Sequence, residues 1–136
     1  MNVRKRIALI AHDRKKTSLV AWCRKNQSIL EQHDLSATGT TGGLLEASLK
    51  LQIFKFKSGP LGGDQQIGAK IVDGEIDFVI FFWDPLEAQP HDVDVKALLR
   101  IAVVYNIPVA NNWASADFMI SSSLMAEEYQ SGPESI

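Results

Sequence analysis

Six consecutive apolar residues, Phe78-Val-Ile-Phe-Phe-Trp83, constrain the fold of this chain more than any other feature. A strand that is apolar at every position has to be buried on both faces, as happens in parallel sheets that helices cover on both sides. A second short apolar run, Arg6–Ala11, has the same character. Helical patterns separate such runs, so the sequence predicts an α/β domain with a parallel sheet.

The remaining pattern completes one domain. Weaker strands are predicted at residues 34–37, 54–56 and 107–110, and helices near residues 19–30, 44–51, 67–72, 95–103 and 115–120. Short connections favour right-handed crossovers, which gives a single-domain, doubly wound, mostly parallel sheet flanked by helices. We expect this domain to cover residues 1–126, followed by a polar, disordered tail at residues 127–136.

Charge and composition exclude several classes of protein. The net charge is −2, from 14 basic and 16 acidic side chains, which is too balanced to predict binding to nucleic acid or to a membrane. No apolar run approaches the roughly 18–20 residues that span a bilayer. The single cysteine, Cys23, cannot form an internal disulfide. We therefore expect a soluble cytoplasmic protein.

Polar or glycine-rich segments follow the first four predicted strands. Ligands of doubly wound sheets bind where the strands end at their carboxyl side, so these segments are expected to meet at one rim. They are His12-Asp13, Thr38 to Gly43, Ser58 to Asp64, and Asp84 to Asp94.

The segment Thr38-Gly-Thr-Thr-Gly-Gly43 combines hydroxyl groups with unhindered backbone N–H groups ahead of a predicted helix. That combination suits a phosphate dianion, although an ordinary helix-capping turn fits equally well. The segment is not a P-loop, because the Gly-Lys-Ser/Thr ending is missing.

Two kinds of titratable side chain are candidates for acid–base chemistry at the rim. Asp64 ends the second glycine-rich loop, where it fits either a helix N-cap or a proton-abstracting base. His91 stands before the predicted helix at 95–103, whose N-terminus favours neutral imidazole while Asp92 and Asp94 favour imidazolium. His12 directly follows the first strand, so it is a candidate for ligand contact. His33, in a polar stretch, is predicted to be an incidental surface residue.

Five segments carry a resemblance to a known family. They are Ala11-His-Asp13, Ala37-Thr-Gly-Thr-Thr-Gly42, Ser58-Gly-Pro-Leu-Gly-Gly-Asp-Gln-Gln66, Phe81-Phe-Trp-Asp-Pro-Leu86 with Pro90-His-Asp-Val-Asp94, and Asn106-Ile-Pro-Val-Ala110. In this order the chain resembles the methylglyoxal synthase family from about residue 5 to residue 120. The resemblance implies a homo-oligomer, commonly a hexamer, that uses no cofactor and no metal.

The resemblance also implies roles for individual residues. Asp64 matches the catalytic base and His91 the catalytic histidine, and Asp94 is expected to act with them. The residues that match the substrate and phosphate site are His12, Lys16, Thr38, Gly39, Thr40, Thr41, Ser58 and Gly59. Asp13 and Asp84 match supporting acidic residues.

The implied reaction is that of a carbon–oxygen lyase. Dihydroxyacetone phosphate is converted through an enediolate into methylglyoxal and inorganic phosphate, and the released phosphate is an expected inhibitor. The alternative is a binding-only module, because the same fold class serves as the regulatory domain of carbamoyl phosphate synthetase and occurs in a purine-biosynthetic cyclohydrolase. Substrate binding without turnover would favour that alternative.

Overall fold

A parallel sheet of five strands forms the centre of the computed structural model, which describes residues 1–88 and 92–134. Its strands are β1 Arg6–Ala11, β2 Asp34–Ala37, β3 Ile53–Lys55, β4 Phe78–Phe82 and β5 Val109–Ala110. Their order is β3-β2-β1-β4-β5, and all four neighbouring pairs are parallel. The sheet therefore grows in opposite directions from β1, and ligands of such sheets bind near the carboxyl ends of the strands at this point of reversal.

Helices cover both faces of the sheet. They are α1 Lys16–Lys25, α2 Gln27–Leu30, α3 Gly39–Ser48, α4 Gly63–Val72, α5 Asp92–Val104 and α6 Trp113–Ile120, with 3₁₀ turns at Asp13–Lys15, Gly59–Leu61 and Ser123–Ala126. Buried residues of α1, α3 and α6 share one core layer, whereas those of α4 and α5 share the other. The predicted doubly wound α/β architecture is confirmed.

Alternating side chains of β1 explain why this strand is apolar throughout. Ile7 and Leu9 join the layer that contains Trp22 of α1, and Ala8 and Ile10 join the layer beneath α4 and α5. Cys23 is fully buried in the first of these layers, and burial raises the pKa of its thiol to about 12. The thiol therefore stays protonated at neutral pH and is a packing group, not a nucleophile.

Several element boundaries differ from the predictions, and two of these differences lie at the carboxyl ends of strands. The predicted loop 38–43 is mostly helical, because α3 begins at Gly39 and only Thr38 keeps extended backbone angles (φ −63°, ψ 151°). The many glycines of this segment suggested a loop. In the structure, Gly39 instead allows the start of α3 to approach the segment that contains Phe56, because a Cβ at Gly39 would lie 2.9 Å from the carbonyl oxygen of Phe56. The strand β4 ends at Phe82, and Trp83 is partly exposed instead of belonging to the core.

Two polar side chains, Lys5 and His33, are buried at the amino ends of the strands, although His33 was predicted to lie at the surface. Lys5 is 1% exposed, and its ammonium group donates to the carbonyl oxygens of Asn2 (2.6 Å) and Glu127 (2.5 Å). His33 is 8% exposed, and its Nδ1 accepts the backbone N–H of Lys5 at 2.9 Å. The polarity of these residues did not predict their burial, because backbone groups form hydrogen bonds with both side chains.

Hydrogen bonds also join the C-terminal segment to the rest of the molecule. The backbone N–H of Tyr129 donates to Met1 (3.0 Å) and that of Gly132 to Tyr105 (3.1 Å). These bonds hold the chain against the domain up to Gly132, while the division at residue 126 stays a prediction. No helix in the described part of the chain combines the length and apolarity needed to cross a membrane.

Candidate active site

A cavity of about 370 Å³ opens at the carboxyl ends of β1, β2 and β3. It is lined by Ile10, Ala11, His12, Asp13, Lys16, Thr38, Thr40, Thr41, Ser58, Gly59, Pro60, Asp64 and Phe81. The predicted convergence of polar loops on one rim is therefore present for the segments that follow the first three strands.

His12 is fixed by the backbone that follows β4. Its imidazole is 6% exposed, and Nδ1 accepts the backbone N–H of Asp84 at 3.0 Å. The ring also meets the edge of Phe81, with ring centroids 5.1 Å apart and planes at 87°. Because Nδ1 is an acceptor, neutral His12 carries its proton on Nε2, which makes Nε2–H the donor of this ring.

The first turn of α3 supplies donors on the other side of the cavity. Thr38 is the N-cap residue, but its hydroxyl caps no backbone N–H and instead bonds the hydroxyl of Thr41 at 3.3 Å. The N–H of Gly39 donates to the carbonyl of Lys57 (3.3 Å). The next two N–H groups, of Thr40 and Thr41, find no acceptor within the described residues. This arrangement favours an anion site over a self-satisfied capping turn.

A lysine adds a full positive charge beside these donors. Lys16 is the first residue of α1, and its side chain is only 16% exposed although it carries the ammonium group. It forms an ion pair with Asp13, whose side chain is 95% exposed. An exposed carboxylate is an easily displaced partner, so the lysine can also reach a phosphate in the cavity.

Asp64 is 2% exposed and lies in the first turn of α4. The N-cap of α4 is Gly62 (φ 96°), which makes no side-chain cap hydrogen bond. The interpretation of Asp64 as the N-cap is therefore wrong. Asp64 lines the cavity instead.

Glycine at position 63 allows the loop before Asp64 to close on itself. The carbonyl of Ser58 accepts the N–H groups of Leu61 and Gly63, each at 3.0 Å. A Cβ on Gly63 would lie 2.0 Å from the carbonyl oxygen of Lys57, which no side chain tolerates. This contact sets the helix that carries Asp64 directly against the segment that also accepts the N–H of Gly39.

Some of the predicted site residues lie outside the cavity lining. Gly39 belongs to the adjoining helix turn, and Asp84 is buried behind His12, where its carboxylate accepts the N–H of Leu86 at 3.1 Å. Asp94 is half-buried on α5 and accepts a hydrogen bond from Gln65 at 2.8 Å. His91 lies outside the described residues.

The sequence reasoning missed the apolar part of the lining, namely Ile10, Ala11, Pro60 and Phe81. Phe81 was recognised only as a core residue, and its place in β4 gave no signal that the ring edge would orient His12. A larger groove of about 660 Å³ lies at the opposite, amino ends of the strands. Charged groups at its border neutralise one another, as Arg4 and Asp34 do at 2.7 Å. Within residues 1–88 and 92–134, no cluster of three His, Cys, Asp or Glu side chains could hold a metal ion.

This chain is similar in sequence to known proteins over most of its length. A family profile described as "MGS-like domain" matches residues 18–111. The methylglyoxal synthase of Clostridium acetobutylicum is 56% identical over 130 residues, which cover 96% of this chain and 90% of that protein. The methylglyoxal synthase of Saccharophagus degradans is 65% identical over 127 residues, covering 93% and 82% of the two chains.

The chain belongs to the methylglyoxal synthase family. A crystal structure of methylglyoxal synthase from Elizabethkingia anophelis NUHP1 superposes with a TM-score of 0.94 and 53% identity, and the match covers 99% of this chain and 89% of that one. The fold that the family resemblance implied is therefore confirmed, and the cavity lies on a scaffold that is similar to that of a methylglyoxal synthase over nearly its whole length.

Proposed function

We propose that this chain catalyses the elimination of inorganic phosphate from dihydroxyacetone phosphate, which yields methylglyoxal. One observation carries the proposal: a nearly fully buried carboxylate, Asp64, opens into the same cavity as an uncapped helix start and a lysine. A phosphate-binding rim alone would have no use for a carboxylate, because the two negative charges repel each other. A base that removes a proton from a phosphate-bearing substrate explains both.

Binding begins with the phosphate group. The N–H groups of Thr40 and Thr41 and the ammonium of Lys16 border one cavity, and a dianion is attracted both by the donors and by the positive end of the α3 dipole. Ser58 and Gly59 line the same cavity and complete the set of nearby donors. The same donors fit released inorganic phosphate, which supports its role as a product inhibitor.

Proton abstraction then starts the chemistry. Asp64 takes a proton from the carbon that bears the hydroxyl group, and the electron pair of the broken C–H bond moves toward the adjacent carbonyl to form an enediolate. The oxygen that becomes negative needs a hydrogen-bond donor, and His12 can supply one from Nε2–H, because Nδ1 already accepts the N–H of Asp84. Triosephosphate isomerase likewise uses a neutral imidazole as the electrophile beside a carboxylate base.

Phosphate expulsion completes the reaction. The negative oxygen of the enediolate takes up the proton of the neighbouring hydroxyl group, whose oxygen electrons form the aldehyde carbonyl. The C–O bond to phosphate breaks at the same time, with its electron pair on the leaving oxygen. The remaining enol of methylglyoxal loses its hydroxyl proton to the released phosphate and gains a proton on its methylene carbon from solvent, and Asp64 releases the proton that it took. Lys16 and the start of α3 stabilise the additional charge on the leaving phosphate. The catalytic role of His91, and the direct participation of Asp94, stay predictions from the family resemblance.

Substitution of Asp64 by asparagine tests the assignment of the base. We expect Asp64→Asn to reduce kcat by about 10²–10⁴-fold, because asparagine has nearly the same shape but cannot accept the proton. Inorganic phosphate should bind the variant at least as well, since the phosphate donors remain and one negative charge is lost. A variant with the kcat of the unmodified protein would show that Asp64 is not the base.

We further propose that the chain works in the cytoplasm as a homo-oligomer, with a hexamer as the expected state. The free, buried thiol of Cys23 fits a reducing compartment. Large apolar side chains at the surface, such as Leu86 (91% exposed) and Phe118 (83% exposed), are the kind that subunit contacts cover. Light scattering tests the assembly: a multiple of the 15.0 kDa chain mass is expected, and a monomer would contradict it.

A further inference from the structure

Gln65, the residue after the proposed base, makes a contact for which the mechanism has no role so far. It lies in the first turn of α4, and its Nε2 donates a hydrogen bond to Oδ1 of Asp94 at 2.8 Å. Asp94 lies in the first turn of α5, which begins at Asp92. One side-chain bond therefore joins the beginnings of the two helices that cover the same face of the sheet.

The location of Asp94 gives this contact its importance. Asp94 is a half-buried residue, and its hydrogen bond with Gln65 is exposed to solvent. Asp94 is not among the residues that line the cavity, so its described contact with the site runs through Gln65. No lysine, arginine or histidine forms an ion pair with Asp94 in the described part of the chain. The carboxylate of Asp94 thus accepts its hydrogen bond from the neighbouring helix α4 through the amide of Gln65.

We propose that Gln65 is a positioning residue for the reaction. Its hydrogen bond with Asp94 holds the first turn of α5 in a fixed position relative to the first turn of α4, which carries Asp64. This inference rests on the proposed function. The donor character of Gln65 is essential to it, since a carboxylate can only accept a hydrogen bond. A shift between the two helix starts changes the position of Asp64 relative to Asp94, which the family resemblance predicts to act with it, and small misplacements reduce turnover strongly.

Three substitutions at this one position separate the donor from the bulk of the side chain. Gln65→Arg keeps a donor for Asp94, Gln65→Met removes it at similar size, and Gln65→Glu places a second carboxylate against the first. We expect kcat to fall in the order Arg, Met, Glu, with the arginine variant retaining most activity and the glutamate variant losing about 10–100-fold at pH 8. The inhibition constant of inorganic phosphate should stay within about threefold, because the donors of α3 are untouched.

The pH profile provides a readout that a merely structural role would not move. Two carboxyl groups in contact share a proton as the pH falls, and the protonated one again donates a hydrogen bond. The kcat of Gln65→Glu, divided by that of the unmodified protein, should therefore rise from pH 8 to pH 5.5. For Gln65→Met this ratio should stay constant over the same range.

The chain offers a matched control on α2. Gln27 also donates to a carboxylate, Glu31, at 3.4 Å, but far from the cavity, so Gln27→Glu should leave kcat unchanged. Equal kcat values for the three Gln65 variants, or losses that track only their unfolding free energies, would overturn the inference. An unmodified protein that releases no methylglyoxal would instead overturn the proposed function.

Discussion

His12 and His33 are both buried, and each accepts a backbone N–H on Nδ1, from Asp84 and Lys5 respectively. Such a bond requires an unprotonated Nδ1, so it fixes the Nε2–H tautomer of the neutral ring. At the carboxyl ends of the strands this arrangement gives a residue of the cavity lining a defined donor. At the amino ends it has no catalytic use, but it makes the stability of the fold depend on pH.

His33 carries this pH dependence. Burial lowers the pKa of its imidazole below the ordinary value of 6.5, and the charges of Arg4 and Lys5 lower it further. As the pH falls through about 6.5, His33 therefore becomes protonated in the unfolded chain while it stays neutral in the folded chain. The contribution of His33 to the free energy of unfolding is fully present above this pH and is lost as the pH falls toward the pKa of the folded state.

We expect His33→Asn, whose Oδ1 can still accept the N–H of Lys5, to lose less stability between pH 7 and pH 5.5 than the unmodified protein. Urea unfolding at the two pH values measures the difference, and the comparison removes the contributions of the other titrating groups. Equal losses in both proteins would show that His33 is not responsible.

At the scale of secondary-structure elements, the site depends on how closely the starts of α3 and α4 approach the peptide of Lys57. The carbonyl of Lys57 accepts the N–H of Gly39 and lies where a Cβ of Gly63 would be. A single peptide group thereby sets the distance between the start of α3 and the helix that carries Asp64.

Two glycines of the same helix α4 test this contact. Gly63→Ala should destabilise the fold by about 1–3 kcal/mol, because its methyl group cannot share space with the carbonyl of Lys57. Gly68→Ala is the control: its Cβ meets nothing within 4 Å, and alanine should stabilise the helix by about 0.5–1 kcal/mol. Thermal unfolding of both variants measures these changes. A stable Gly63→Ala with normal kcat would contradict the close approach.

The phosphate site at the start of α3 makes a second prediction at this scale. Lys16→Met should weaken the binding free energy of inorganic phosphate, measured by its competition with substrate, by about 1.5–3 kcal/mol, because a charge-assisted hydrogen bond is lost. Thr40→Val should have a smaller effect of about 0.5–1.5 kcal/mol, because the helix N–H groups remain.

Lys15→Met and Thr17→Val are controls on either side of Lys16, and neither residue lines the cavity. Competition kinetics with inorganic phosphate distinguish the four variants. Phosphate constants that are unchanged in Lys16→Met and Thr40→Val would remove α1 and α3 from the binding site.

For the whole molecule, apolar runs were sufficient to predict the layered architecture, because a strand buried on both faces leaves few alternatives. The bounds of β1 were predicted correctly for this reason. Those of β2 also match the prediction, although this strand is not apolar throughout. The start of α3 was not predicted correctly, since its glycines follow from contact with Phe56 and not from local helix propensity. Likewise, the backbone bonds that bury Lys5 and His33 join segments nearly 30 residues apart or more, which a local pattern does not reveal.

For the candidate site, too, the sequence predicted some features and not others. Glycine-rich segments after successive strands predicted where the cavity is, because parallel strands end at one rim. The sequence left open whether Asp64 was a helix cap, and only the position of Gly62 as the N-cap decides against it. The contact between Gln65 and Asp94 depends on how α4 packs beside α5, so no spacing in the sequence could have indicated it.

The most direct test of the central claim is to incubate the purified chain with dihydroxyacetone phosphate and measure methylglyoxal and inorganic phosphate together. The proposed elimination predicts that both products appear in equal molar amounts, at a rate that Asp64→Asn reduces by about 10²–10⁴-fold. Calorimetric titration of the same preparation with the substrate completes the measurement. Binding of the substrate without release of either product would contradict the claim and leave a phosphate-binding module in place of a lyase.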